Sequence, residues 1–213
     1  MKKHVYLFPL MLLCGMITTA QVQFGFKGGL HYSDARAVSN QGENLTVIGA
    51  GGIHLGAQMK VPFDKNLYFI PQMQYAYKNF TVEYNNTDTA SIQMKMHYLE
   101  VPLLLEYNLV KENRGFFFQF GPSISVALAG SETITGKTGS TQDKPIKFAF
   151  NAYGRMEANL VANAGYQFNP SMQFSLGYAH GLGSIVNGDS GPQITPRMFT
   201  ASLHYWLAKR KNK

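Results

Sequence analysis

The sequence is short of cysteine, of charge and of long apolar runs, and each shortage excludes something. One cysteine occurs in 213 residues, Cys14. It lies in a segment that reads as a leader, so the rest of the chain has no thiol for a disulfide or a thiolate metal site. Leu13 precedes it where a lipid-attachment site needs a small residue. Charged residues are 15% of the chain, well under the roughly 25% of an ordinary globular protein. After residue 20 no run of 18 or more apolar residues occurs, which excludes a helical membrane crossing. Hydrophobic residues nevertheless make up 45% and aromatics 13%, and that surface must be hidden in a core or in lipid. A chain that crosses lipid without helices must close into a barrel, because an open sheet would leave backbone groups unpaired there.

Residues 1–20 have the pattern of a secretory signal peptide. Lys2 and Lys3 form a positive start, Val5 to Ile17 an apolar centre, and Thr18, Thr19 and Ala20 a small-residue end. Cleavage is expected between Ala20 and Gln21. The apolar centre, about 13 residues, is too short to span ~30 Å of hydrocarbon as a helix. Net charge is +7, or +5 without Lys2 and Lys3, and Lys209, Arg210, Lys211 and Lys213 supply four of those charges. The expected division is a leader over 1–20, a barrel domain over 21–208 and a basic tail over 209–213. Because the positive charge is a tail and not a face, no nucleic-acid partner is expected.

Eight segments alternate apolar and polar residues with the period of a strand: 23–33, 51–61, 67–78, 92–107, 116–129, 150–168, 172–181 and 197–207. In the third, Phe69, Met73, Tyr75 and Tyr77 oppose Gln72, Gln74 and Lys78; in the fourth, Leu99, Val101, Leu103 and Leu105 oppose Glu100 and Glu106. Pro102 argues against a helix in the fourth. Residues 62–66, 110–115 and 169–171 are tight turns with Pro, Asn, Asp or Gly. The other connections, 34–50, 79–91, 130–147 and 182–196, read as long polar loops. Short and long connections alternate strictly, so all short turns fall at one end, together with both termini. That asymmetry and the even strand number predict an all-β, eight-stranded antiparallel transmembrane barrel in the outer membrane, with periplasmic termini.

A soluble barrel of this kind would point its apolar face inward and a membrane barrel outward. The apolar faces are rich in Phe and Tyr, and the opposite faces hold few ionisable groups among Gly, Ser, Ala and Gln, which favours the membrane arrangement. Lys60, Lys78, Glu100, Glu106, Arg155 and Glu157 are then expected in a narrow, filled lumen. They would be paired there as a structural charge network, a gated polar path or small ligand site being the alternative.

The run Tyr98-Leu99-Glu100-Val101-Pro102-Leu103-Leu104-Leu105 resembles the "YLEIPLLL" strand of the PorT family of Bacteroidetes outer-membrane β-barrels. Phe26-Lys27-Gly28-Gly29-Leu30, Gly121-Pro122, Gly165-Tyr166 and Tyr178-Ala179-His180-Gly181-Leu182 fit the same family. The resemblance implies an eight-stranded outer-membrane barrel, and through the family's founding member it implies a link to protein secretion of type IX.

Other chemistry is weakly represented. His180 with Ser184, and Ser202 with His204, raise a lipid-deacylating enzyme as one reading, but Leu182 stands where such an enzyme has its serine. His54, His97 and His204 could all point inward, without the spacing of a zinc site. No phosphate-binding loop occurs. The expectation is a non-enzymatic envelope protein without cofactor or metal. Its partners would be outer-membrane lipid and envelope or secretion proteins, met through the long loops; an accessory role in secretion is the alternative, and no small-molecule ligand can be named.

Overall fold

The computed structural model describes residues 22–84, 88–110, 114–149, 152–188 and 191–207. The leader, the junction of Ala20 and Gln21, and the tail 209–213 lie outside the described residues. Ten strands form: β1 (Gln23–Val38), β2 (Asn44–Leu45), β3 (Val47–Pro62), β4 (Leu67–Glu83), β5 (Thr89–Asn108), β6 (Gly115–Gly136), β7 (Thr141–Pro145), β8 (Met156–Asn169), β9 (Met172–Gly181) and β10 (Gln193–Trp206). Eight of them run in the order β10-β9-β8-β6-β5-β4-β3-β1, and β10 pairs antiparallel with β1, which closes the ring. Closure leaves the eight-stranded ring without an edge, the condition for a sheet to sit in lipid. The short β2 and β7 are additions on the long-loop side, paired to β1 and β6.

The wall is greasy outside and polar within. Phe26, Leu30, Leu55, Phe116, Phe120, Leu176 and Leu203 are all exposed, Leu30 by 68%. Their neighbours one residue away, among them Lys27, His54, Gln119, Ser175 and Ser202, are buried. In water this arrangement would be inside out, and it settles the facing in favour of the membrane barrel.

The strands are longer than the alternation suggested. β6 has 22 residues and β5 has 20, where about 9–11 tilted residues cross a bilayer. Much of 34–50, 79–91 and 130–147 is therefore strand and not loop. The sixth segment is shorter than expected, its strand starting at Met156 instead of 150. On the extended portions the inward side chains are apolar. Ala35, Ala37, Phe80, Val82, Met94, Met96, Tyr98, Ala127 and Ile194 form one buried cluster with Ile146 and Ile185 from the loops. Phe148, Tyr153 and Val186 pack against it. This cluster roofs the barrel at the long-loop end. A smaller cluster of Ile70, Leu104 and Trp206, flanked by Tyr68 and Val161, floors it at the other.

Candidate functional site: the barrel lumen

Between roof and floor the inward positions carry the ionisable groups. At the floor Lys60 Nζ lies 2.5 Å from Glu106 Oε1. Gln119 donates to Glu106 Oε2 at 2.7 Å and accepts from Asn163 at 2.9 Å. The Lys60 ammonium sits 4.2 Å from the centre of the Tyr68 ring, a cation–π contact at a desolvated place. Trp206 donates its indole N–H to Gln173 at 2.9 Å. Gly25 makes room for that indole: a Cβ there would lie 2.6 Å from the ring.

Nearer the roof, Lys78 Nζ bridges two carboxylates, Glu100 at 2.9 Å and Glu157 at 3.0 Å. Gln74 donates to Glu100 Oε2 at 2.7 Å and Ser125 to Oε1 at 3.2 Å. The Lys78 ammonium also lies 4.4 Å from the centre of the Tyr98 ring. Buried charges persist only when paired and hydrogen-bonded in this way. Lys27, buried as well, donates to Gln72 Oε1 at 3.3 Å. Three lysines and three glutamates are thus buried in the lumen, so their formal charges cancel. A cavity of ≈ 30 Å³ remains beside Lys27, Gln72, Gln74 and Glu100.

The histidines form two chains of hydrogen bonds at the middle level. His31 Nε2 lies 3.0 Å from the Tyr77 carbonyl, which can only accept, so with one proton per ring this nitrogen donates. Its Nδ1 must then accept from His54 Nδ1 at 3.4 Å, and His54 Nε2 from the Ser202 hydroxyl at 2.9 Å. In the second chain His204 Nδ1 donates to Gln58 Oε1 at 3.0 Å and Nε2 accepts from Ser175 at 2.8 Å. Ser175 beside His204 has the reach of a nucleophile and base. Gln58, however, orients the imidazole where a carboxylate would be needed, and both Ser175 and His204 are 1% exposed.

The structure brings together five of the six charges expected in the lumen: Lys60 with Glu106, and Lys78 with Glu100 and Glu157. Arg155 is not among them. It precedes β8, is exposed, and stands 5.6 Å from the centre of the Phe148 ring. Alternation holds a side chain inward only while the strand lasts, and the strand begins one residue later. His97 also differs from expectation. It shares the outward face with Leu99 and accepts or donates at Nδ1 to the Tyr75 hydroxyl at 2.6 Å, while His54 and His204 are inward. His180 meets the Tyr178 hydroxyl at 3.0 Å, and Ser184 Oγ accepts from the backbone of Val186 and Ile194, so those two do not meet as a pair. Among the described residues no cluster of three or more His, Cys, Asp or Glu could hold a metal. Alternation puts Gln58 and Ser175 on the polar faces, but it did not single out Lys27 and His31, whose positions out of phase with Phe26 and Leu30 could have shown them.

At the roof Tyr153 donates to Glu132 Oε2 at 3.1 Å. Burial first, then the Glu132 carboxylate, raises the Tyr153 phenol pKa above its ordinary value, and the same two causes raise that of Tyr84.

Comparison with known proteins agrees with this wall. The profile of the family described as "Outer membrane protein beta-barrel domain" matches residues 18–187. The chain belongs to that family. Its place is therefore the outer membrane. Among solved structures it is similar to Ail, the attachment invasion locus protein of Yersinia pestis, at 12% identity and TM-score 0.48, over 87% of this chain and 99% of that one. It is similar to Neisserial surface protein A at 12% identity and TM-score 0.45, over 84% and 96%. OprG from Pseudomonas aeruginosa is similar at 12% identity and TM-score 0.43, over 87% and 95%. No curated protein matches the chain.

Proposed function

We propose that this outer-membrane barrel is a non-enzymatic, non-conducting envelope protein that works through the hairpins at its roofed end. One observation carries the reading: a charge-neutral lumen lies between an apolar roof and an apolar floor, so the polar surface available to a partner is on the projecting hairpins. β7, whose five residues are all exposed, is the clearest such element. The mature chain would begin at Gln21, with both termini in the periplasm and the hairpins outside the cell. Its partners would be outer-membrane lipid and other envelope proteins. The Tyr98–Leu105 run supports a narrower place near the PorT barrels of Bacteroidetes, and with it the second reading, an accessory role in protein secretion. Conductance across planar bilayers tests the first part. The reading expects no steps above baseline for the purified barrel, and regular ion-conducting steps would overturn it. Loss of secreted cargo on gene deletion, restored by the intact gene but not by one lacking 137–145, would favour the secretion role over a purely structural one.

A further inference from the structure

The lumen is closed, but the outer wall is not uniform. Between β3 and β4 the register shifts from Gly49 opposite Phe80 to Ile53 opposite Tyr77, so β3 carries one extra residue there. Such a bulge leaves ladder groups unpaired. At this bulge the imidazole of His31 reaches the Tyr77 carbonyl from β1 at 3.0 Å. His31 fits because Gly52 is a glycine: a Cβ there would lie 2.2 Å from His31 Nε2. On the outer side Gly51 is also a glycine, and a Cβ there would meet nothing within 4 Å.

The result is a groove of ≈ 700 Å³ on the lipid-facing side, lined by Leu30, Tyr32, Ile53, Leu176, Phe199 and Ala201 with Gly51. The groove runs along β1 and β10, and the outward residues above it change character in register. Above Tyr32 opposite Phe199 comes Asp34 opposite Arg197, with His180 on the far side of Arg197. Above these comes Arg36 opposite Thr195. Each such level is about 7 Å along the strand. Asp34 Oδ1 is tied to its own chain by the Ala35 N–H at 2.7 Å. Arg197 keeps a buried Nε without a hydrogen-bond partner. Apolar space in the bilayer belt topped by two guanidinium groups matches an acyl chain joined to a phosphate, since guanidinium pairs with phosphate through two parallel bonds.

We propose that this groove is a binding site for a phosphate-bearing, acylated lipid of the leaflet on the roofed side. Its chain lies over Gly51, and its headgroup is held by Arg197 and Arg36. The proposal rests on the outer-membrane placement of the barrel and not on the role of the hairpins. Native mass spectrometry of the detergent-folded barrel tests it, with dimyristoyl phosphatidic acid, dimyristoylglycerol and inorganic phosphate as probes. One phosphatidic acid is expected to be retained, at least about tenfold better than dimyristoylglycerol, because a charge-assisted bidentate pair adds more than one factor of ten. Gly51→Leu fills the groove without a clash and should weaken retention by at least about tenfold, through several methylenes left unburied. Arg36→Ala with Arg197→Ala should erase the preference for phosphatidic acid while dimyristoylglycerol still binds. Ala57→Leu, lower on β3, should change nothing. Heat-modifiable migration on gels verifies that each variant is folded. The proposal is overturned if folded Gly51→Leu retains lipid undiminished, if Ala57→Leu weakens it equally, if the arginine variant keeps the preference, or if millimolar inorganic phosphate displaces the lipid. Failure of the membrane placement itself would look different: the wild-type barrel would stay folded and monomeric without detergent.

Discussion

Two halves of one barrel wall obey opposite rules. Below the level of Lys78, β4 turns Gln72 and Gln74 inward and Met73, Tyr75 and Tyr77 outward; above it the same strand turns Phe80 and Val82 inward and Asn79, Thr81 and Glu83 outward. β5 makes the same exchange, from Glu100 and Glu106 inward to Met94, Met96 and Tyr98 inward. Between β4 and β5 the register is kept through this level, while β6 carries one extra residue opposite His97 and Tyr98. The inward residues of β4 and β5 stay at even positions throughout, so what differs between the halves is the medium outside. Where lipid surrounds the wall, apolar side chains go out and polar ones must satisfy one another within. Where water surrounds it, the wall follows the rule of a soluble barrel. The lesson is that facing is set by the medium at each height and not by the strand.

Substitutions can break this contrast, and the largest effect should come from the charged lumen. Lys78→Ala strands two buried carboxylates and should cost about 3–5 kcal/mol, read from urea unfolding in vesicles. Lys78→Met combined with Glu100→Gln and Glu157→Gln removes the charges together and should recover most of that loss. If the triple variant is as unstable as the single one, burial of unpaired charge is not the cause. On the outside, Leu103→Arg places a charge against acyl chains and should cost about 2–4 kcal/mol, while Thr81→Arg on the upper outside should stay within about 0.5 kcal/mol. Equal costs for the two would remove the difference between the halves. In the roof, Val82→Ala deletes two buried carbons and leaves a cavity, for about 1–3 kcal/mol, in the same unfolding assay. The smallest effect concerns pH. The raised Tyr153 phenol contributes stability that is full below its unfolded value near ~10 and is lost as pH rises through the higher folded value. Phenol absorbance should show Tyr153 ionising later than exposed tyrosines, and Tyr153→Phe should reduce that late fraction, to which Tyr84 also contributes.

The same exchange of faces explains what could be read from sequence. The lower wall was legible because one phase of alternation held across each segment, so Glu100, Glu106, Lys60 and Lys78 fell on one face by counting. The upper wall was not, because apolar residues change phase at Lys78: Tyr75 and Tyr77 are odd, Phe80 and Val82 even. A phase change of that kind reads as the end of a strand, which turned residues 79–83 of β4 and 89–91 of β5 into a loop. Arg155 was misplaced for a related reason, since counting cannot tell where pairing begins. The groove over Gly51 had no sequence signal, because it needs the bulge in β3 and the closure of β1 on β10 to bring Leu176 and Phe199 beside Ile53.

Spin-label accessibility at four positions tests the reversal of faces most directly. Single substitutions Leu103→Cys, Gln74→Cys, Thr81→Cys and Phe80→Cys would be labelled in vesicle-inserted protein and exposed to oxygen, which partitions into lipid, and to a water-soluble nickel chelate. The account predicts oxygen access at 103, chelate access at 81, and neither at 74 or 80. Oxygen access at 80 with chelate access at 74 would contradict it, since apolar side chains would then meet lipid, and polar ones a wet interior, along the whole length of the strand.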